Sequence, residues 1–310
     1  MPEVTAALVK ELREKTGAGM MDCKRALDDT KGDIEEAVDW LRKKGLAAAA
    51  KRAGRVAAEG LIGVATRDTA GAVVEVNSET DFVARNPTFQ AFVRAVTALT
   101  LDGDGDIDRL KQAVVAESGR TVEAELTHLI STIGENIVLR RIARLAVGEG
   151  AVVSYVHNTM APGLGRIGVL VALASAAPAD TLVPLGRDLA MHVAAASPLY
   201  LDIASVPAAA LERERDVLRA QARASGKAEA IIERMIEGRL RKFYEEVVLV
   251  EQESVIDRHE KARIGKVVET AAKAAGTLIR VAAFARFALG EGIERPKTDF
   301  AAEVAAQLKH

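Results

Sequence analysis

Glu79-Thr80-Asp81-Phe82-Val83-Ala84-Arg85-Asn86 comes just after an alternating apolar run, Ala72-Val73-Val74-Glu75-Val76, and the reading of this junction decides the fold. The run has the two-residue period of a half-buried strand. Thr80 or Asp81 is placed to cap the helix that follows. Asn86-Pro87 then restarts the chain as a second helix, with Asn86 as cap and Pro87 at the first helical position. Asp81 and Phe82 thus occupy a tight corner between strand and helix, a carboxylate beside a large apolar ring. Two readings of the pair stand side by side. Either Asp81 caps the helix and Phe82 packs into the core, as at most helix starts, or the pair projects outward as a probe for a partner. The tripeptide recurs as Thr298-Asp299-Phe300, so three residues alone do not decide.

Working outward, residues 61–65 alternate in the same way and join 72–76 through Asp68-Thr69-Ala70-Gly71, a hairpin signal. Downstream, Phe89, Phe92, Val93 and Val96 share one face of the helix that begins at Pro87. Asp102-Gly103-Asp104-Gly105-Asp106 lacks the ligand spacing and closing Glu of a calcium loop and reads as polar surface. Helical stretches follow over 107–117 and 122–133, and Gly134-Glu135-Asn136 turns into an extended run over 137–147. The second half repeats this plan, with a hairpin of 151–156 and 167–173 joined by a longer loop, a helix over 182–196 and an extended run over 277–289. The repeat is nearly literal at the strand ends: Ala143-Arg144-Leu145-Ala146-Val147-Gly148-Glu149-Gly150 against Ala285-Arg286-Phe287-Ala288-Leu289-Gly290-Glu291-Gly292. So wide an offset suits two related subdomains rather than a solenoid.

The N-terminal stretch reads as three short helices. Thr5 caps the first, which carries Leu8 and Leu12 and ends at Gly17. The second holds Cys23, Ala26 and Leu27. The third begins at a capping-box-like Asp33 and Glu36 and lines up Ile34, Ala37, Val38 and Leu41. The expected organisation is α+β. A three-helix module spans 1–45 and a helical linker 46–59. Core subdomains span 60–148 and 149–292, each a small antiparallel sheet covered by helices, and a helical tail spans 293–310. A helical hairpin over 207–250 is inserted in the second subdomain. There Leu211 and Leu218, and Ile236, Phe243 and Val250, recur at heptad spacing, a partial coiled-coil seam that needs either its own second helix or another molecule.

Composition narrows the function. With 310 residues, 49% of them apolar, the chain is globular and long enough for several cores. Its 42 basic residues balance 44 acidic ones, which argues against direct nucleic-acid binding. A single cysteine, no signal peptide at Met1-Pro2-Glu3-Val4-Thr5 and no membrane-length apolar stretch point to a cytoplasmic protein away from membranes. No cofactor motif, no metal-ligand spacing among His128, His157, His192, His259 and His310, and no phosphate loop is present. His192 sits in an apolar helix and reads as structural, whereas His157 ends a strand and opens a loop. The residues describe a binding or regulatory protein rather than an enzyme. An RNA-binding translation-associated protein is the alternative, supported by Lys43, Lys44, Lys51, Arg52 and Arg55.

Five strings carry a more specific signal. They are the stretch from Leu8-Val9-Lys10-Glu11-Leu12-Arg13 to Gly17-Ala18-Gly19-Met20-Met21-Asp22-Cys23-Lys24; Glu75-Val76-Asn77 with Thr80-Asp81-Phe82-Val83-Ala84; Ile133-Gly134-Glu135-Asn136-Ile137; Arg166-Ile167-Gly168-Val169-Leu170-Val171; and Gly290-Glu291-Gly292-Ile293-Glu294. Their joint order resembles the bacterial elongation factor Ts family, the nucleotide-exchange factors of the GTPase elongation factor Tu. The resemblance implies a UBA-like N-terminal module, a two-part core, and guanine-nucleotide exchange without a cofactor or metal of the chain's own. It implies that Thr80, Asp81, Phe82 and Val83 enter elongation factor Tu near its bound magnesium, which favours the outward-facing Phe82. It also implies contacts from Arg13, Met20, Met21 and Lys24 in the module, His157 in the core, and Val255 and Ile256 further on. The hairpin over 207–250 resembles a dimerisation element of some members, so a homodimer is part of the expectation. The loop Asn158-Thr159-Met160-Ala161-Pro162-Gly163-Leu164-Gly165 is longer than the turn in many relatives.

Overall fold

The structure is a computed structural model in which residues 4–223 and 229–294 are described, the side chains of 222, 223 and 229–233 excepted. Three helices open the chain: α1 (Ala6–Thr16), α2 (Met20–Asp29) and α3 (Ile34–Arg52). Thr5 accepts from the Leu8 amide at the start of α1, and Gly17, at φ 67°, closes it. Asp33 accepts from the Glu36 amide at the start of α3. The helices share a small core of Val9, Leu12, Cys23, Ala26, Leu27 and Ala37. Gly45 does not interrupt α3, because the alanines that follow are the best helix formers and carry it to Arg52.

The rest of the chain makes two antiparallel sheets. In the first half, β1 (Glu59–Arg67) and β2 (Ala70–Ser78) form a hairpin, followed by α4 (Pro87–Asp102), α5 (Ile107–Gln112), α6 (Val122–Ile133) and β3 (Ile137–Ala146). In the second, β4 (Gly150–His157), β5 (Leu164–Gly165) and β6 (Ile167–Ala174) precede α7 (Ala179–Ala196), α8 (Ala208–Arg223), α9 (Glu229–Val247), α10 (Ile264–Ala275) and β7 (Arg280–Ala288). Sheet orders are β3-β2-β1-β5 and β4-β6-β7. Both halves therefore run hairpin, helix, then a strand returning beside the hairpin's second strand, and the duplicated sequence marks the ends of β3 and β7. The fold is α+β.

Side-chain alternation builds four layers. Leu61, Val74 and Val76 face Phe89, Phe92, Val93 and Val96 of α4 and Leu129 and Ile130 of α6. On the other face of that sheet, Ile62, Val64 and Val73 meet Val152, Leu170 and Ala172 of the second sheet. The second sheet turns Val153, Val169, Val171 and Leu173 to α7 and α10. The order is helices, sheet, sheet, helices, so β2 is covered on both faces and is not the half-buried strand that its alternation suggests. Gly168 sets the spacing of the sheets: a Cβ there would lie 2.5 Å from Ile62 Cγ2 and 2.6 Å from Val64 Cγ2.

Three expectations change. The longer loop expected after His157 contains a short strand, because it crosses to the first sheet, where β5 pairs with β1 and Leu164 is buried. The helix expected over 107–117 stops at Gln112, because the chain then turns back on itself through Gly119 so that Val114 and Thr121 bridge. In the inserted hairpin, Leu211, Leu218, Ile236 and Leu240 form one apolar cluster between α8 and α9. Val250 leaves that seam because α9 ends at Val247, where the Leu249 amide turns to the Tyr200 carbonyl. Residues 224–228, most of the expected tail over 293–310 and the repeat Thr298-Asp299-Phe300 lie outside the described residues.

One buried carboxylate ties the halves together. Glu75, in β2 at a bulge, has no solvent exposure. It accepts from Arg140 Nη1 at 3.0 Å, Arg141 Nε at 2.5 Å and Asn77 Nδ2 at 3.1 Å, all in its own half. From the other half it accepts from the Gly290 amide at 2.8 Å, just beyond β7. Arg140 and Arg141 also donate to the carbonyls of Glu291 and Ala288, and Arg141 lies 4.3 Å from the Phe287 ring centre.

Burial alone would push the Glu75 carboxyl up, but the Gly290 amide and the Arg141 guanidinium outweigh it and hold it below the usual carboxylate range. A carboxyl depressed in the folded state stabilises fully above its unfolded pKa, about 4.3, and loses that contribution as pH falls through the lower folded value. Glu75→Gln is expected to cost about 3 kcal/mol in urea melts at neutral pH, since two guanidinium groups lose their anion. Below about pH 4.3 its stability is expected to fall less steeply than that of the native chain. Gly168→Ala is expected to cost about 2 kcal/mol by overpacking, seen as a lower urea midpoint at unchanged slope.

Candidate functional site

The corner after β2 is exposed at its tip and anchored on both sides. Phe82 leaves 75% of its surface to solvent. The Asp81 carboxylate is exposed too and has no hydrogen bond or ion pair among the described residues. Neither packs as a buried helix start does: the turn after Phe82 is a short 3-10 segment, Val83–Arg85, with no side-chain cap. The expected capping by Thr80 or Asp81 is therefore replaced by capping one turn later. Asn86 accepts from the amides of Thr88 and Phe89 and starts α4 with Pro87 behind it.

What holds the tip lies on each side of it. Val83 and Ala84 are buried in the α4/α6 core, and Gln90 Nε2 donates to the Ala84 carbonyl at 2.9 Å. Before the tip, Thr80 gives its amide to Glu135 Oε2 at 2.9 Å and its hydroxyl to Glu135 Oε1 at 2.6 Å. Reciprocally, the Asn136 amide donates to Glu79 Oε1 at 2.6 Å, and Asn136 Nδ2 donates to the Arg55 carbonyl at 2.7 Å. Arg55 closes the group with an ion pair to Glu79 at 3.4 Å. Nothing in the local sequence of residues 79–86 announces Glu135. The Gly134-Glu135-Asn136 turn reads simply as a helix stop, although a Glu and an Asn directly after that glycine were the available signal.

The other expected contact residues sit in three separate places. Arg13, Met20, Met21 and Lys24 are all exposed on α1 and α2, with Met21 at 69%. Their module rests on α6: Gly45 of α3 lies against Ser131, and Gly17 lies beside His128. His157 is exposed at the end of β4, and its Nδ1 lies 3.2 Å from the Tyr155 hydroxyl, a pairing that the sequence reading missed. Val255 and Ile256 lie in the loop before α10, Val255 exposed and Ile256 half-buried.

That loop is fastened from beneath by α7. His192 is fully buried and accepts the Val255 amide at Nδ1, 3.2 Å away. Its Nε2 lies 2.9 Å from Gln252 Oε1, while Gln252 Nε2 donates to the Glu246 carbonyl. The two contacts together require the neutral tautomer protonated at Nε2. Arg258 and His259 both reach Asp188 on α7. Glu75, Asp188, His192 and Cys23 are buried titratable groups among the described residues. Burial pushes the Cys23 thiol up, so it stays protonated on the module's inner face.

Comparison with known proteins places the chain in a family. A family profile described as elongation factor TS matches residues 79–291, beginning at Glu79 itself. The chain belongs to the elongation factor Ts family. It is 66% identical over 310 residues to the elongation factor Ts of Rhodospirillum rubrum, covering all of both chains. It is 61% identical over 307 residues to that of Paramagnetospirillum magneticum, covering 99% of this chain and 98% of the relative. Identity to the Rhizobium johnstonii elongation factor Ts is 53% over 309 residues, with full coverage of both chains. The chain is thus a member of a family of translation elongation factors. Among the described residues no helix is long and apolar enough to cross a membrane.

Burial holds the His192 imidazole below the ordinary histidine value, with His259 adding to that effect and the Gln252 hydrogen bond opposing it. A histidine depressed in the folded state contributes fully above about pH 6.5 and loses that contribution as pH falls through its lower folded value. Protonation at Nδ1 removes the acceptor of the Val255 amide. Hydrogen exchange at that amide, corrected for its intrinsic rate, is therefore expected to lose protection as His192 protonates, the protonation followed by its ring NMR signals. Protection unchanged after His192 has protonated would remove it as the fastening of this loop.

Proposed function

We propose that this chain is a guanine-nucleotide exchange factor that binds elongation factor Tu carrying GDP and promotes GDP release in the cytoplasm, by binding rather than by turnover. The observation that carries the reading is the exposed Asp81-Phe82 tip on a corner anchored on both sides. An aromatic ring left three-quarters in water gains about 2 kcal/mol when a partner covers it. Phe82 then acts as a wedge between helices of the GTPase. Asp81, its carboxylate without a partner among the described residues, competes for polar contacts near the bound magnesium. Magnesium bridges the nucleotide phosphates to the GTPase, so displaced ligands weaken the charge neutralisation that holds GDP. Val83 serves the tip from inside, as its buried root.

In this reading the module over 1–45 docks on the same GTPase through Arg13, Met20, Met21 and Lys24, while His157, Val255 and Ile256 supply outlying contacts from the core subdomains. The described part of the hairpin seam is spent between α8 and α9, which supports a chain working without a second copy bound through 207–250. The basic residues that favour RNA are also partly spent: Arg55 pairs with Glu79, and Lys44 pairs with Asp22 at 2.5 Å. Exchange is reciprocal, because a factor that weakens GDP binding is itself bound more weakly in the presence of GDP, by the same ratio. Such a factor speeds exchange in both directions and leaves the choice of nucleotide to the surrounding GTP.

Stopped-flow release of fluorescent GDP from elongation factor Tu tests this directly. The native chain is expected to accelerate release, and Phe82→Ala to lose about 30-fold of that effect, the loss of a 2 kcal/mol contact. No acceleration by the folded native chain would overturn the function. Acceleration untouched by Phe82→Ala would keep the function and remove the wedge.

A further inference from the structure

We infer that Glu135 is the positioning residue of the Phe82 tip and that Thr80 is its anchor point rather than a contact with the partner; this inference rests on the exchange reading above. A ring as exposed as Phe82 takes no direction from packing, so its aim is set by the backbone on each side. On the C-terminal side the burial of Val83 and Ala84 supplies that control. On the N-terminal side the control is a two-way exchange of carboxylates. Glu135 accepts both donors of Thr80, its amide and its hydroxyl, and Glu79 accepts the amide of Asn136 in return. The Ser78 hydroxyl adds a bond to the Thr80 carbonyl at 2.9 Å, so the peptide groups on both sides of Thr80 are held.

Two consequences follow from the donor count. Thr80 has one amide and one hydroxyl proton, and both are committed to Glu135, so neither is available to a partner. The Glu135 carboxylate comes from the turn that ends α6, 55 residues along the chain from Thr80. The corner's aim therefore depends on where α6 stops. Gly134, at φ 88°, makes that stop and turns Glu135 toward Thr80. The same helix carries the N-terminal module, with Ser131 against Gly45 and His128 beside Gly17. One helix thus sets both the tip and the module, the two surfaces that must meet one partner together.

The bonds are only part-buried, so water can replace the carboxylate without collapse of the core. Glu135→Ala is expected to melt within a few degrees of the native chain and to reduce the acceleration of fluorescent GDP release from elongation factor Tu by about tenfold, since small displacements of a positioned group are costly. Glu135→Gln keeps both bonds, because its Oε1 accepts the Thr80 amide while its Nε2 donates to the Thr80 hydroxyl. It is expected to stay within about threefold of native. The decisive arm is the pair Glu135→Ala with Phe82→Ala. If Glu135 acts through the ring, removing it from the Phe82→Ala background costs much less than in the native chain, the remainder coming from Asp81 on the same tip.

An equal loss in both backgrounds, or Glu135→Ala as fast as native, would overturn the inference while leaving the exchange function standing. Failure of the Gln variant to rescue would overturn it as well. Should Glu135→Ala not fold, Thr80→Val removes one of the two bonds, and a rate equal to native would again overturn it. If the native chain does not accelerate release at all, the functional reading fails first and the inference with it.

Discussion

A fully buried glutamate between two sheets is the constraint on which this structure depends. Glu75 cannot stay charged inside a protein unless its oxygens are filled by donors, and the chain supplies these from both halves at once. Arg140 and Arg141 come from β3, Asn77 from β2 itself and the Gly290 amide from the turn after β7. The ion pair alone fixes nothing between the halves, since both arginines lie in the first. The amide of Gly290 and the carbonyls of Ala288 and Glu291 make it a link, because they bring the last strand's end to the first sheet. Gly290, at φ 72°, adopts a backbone conformation that costs other residues. The repeated Gly-Glu-Gly string thus marks a joint in its second occurrence.

Around that joint the packing is symmetric and the function is not. Both halves have the same strand order and each puts its helices outside, yet they use their loops differently. The first half ends β2 in a short corner whose tip stays in water. The second half sends its hairpin loop, after β4, across to the first sheet as β5, and inserts α8 and α9 farther on. Leu164 buries itself in the first half's helical core by that crossing, so the longer loop adds a second link between the halves. The exposed tip thus sits on a sheet held at its interior by Glu75 and at its edge by β5.

Much of this was legible in the residues. Period-two runs gave the hairpins, Asn86-Pro87 gave the start of α4 to the residue, and the duplicated string gave the two-part core. What was not legible depends on partners distant in sequence. Alternation around Glu75 looks the same for a strand with one wet face as for one covered twice, and only the second sheet resolves it. Asp81 was a plausible cap by composition, but a cap needs amides in reach, and the helical amides begin one turn later, where Asn86 takes them. Val250 kept heptad spacing on paper while the backbone had already turned to pair with Tyr200 and Leu201. The exposure of Phe82 could not be read from its neighbours at all. The family resemblance favoured it, through strings spread along the whole chain.

The tip and the loop of Val255 show one structural logic applied twice. In each, an exposed apolar side chain is carried on irregular backbone, and a polar side chain from a neighbouring helix or its end occupies the amide beside it: Glu135 for Thr80, His192 for Val255. Irregular backbone has no ladder of its own, so an amide held by a side chain is what gives it a fixed direction. A surface residue positioned this way stays free of intramolecular packing and still presents one orientation, which lowers the entropy a partner must overcome on docking. The two fastenings differ in chemistry. Glu135 is a part-buried carboxylate whose two oxygens take two donors, whereas His192 holds its amide only while neutral. Acid is therefore expected to loosen the Val255 loop as His192 protonates, below the ordinary histidine value.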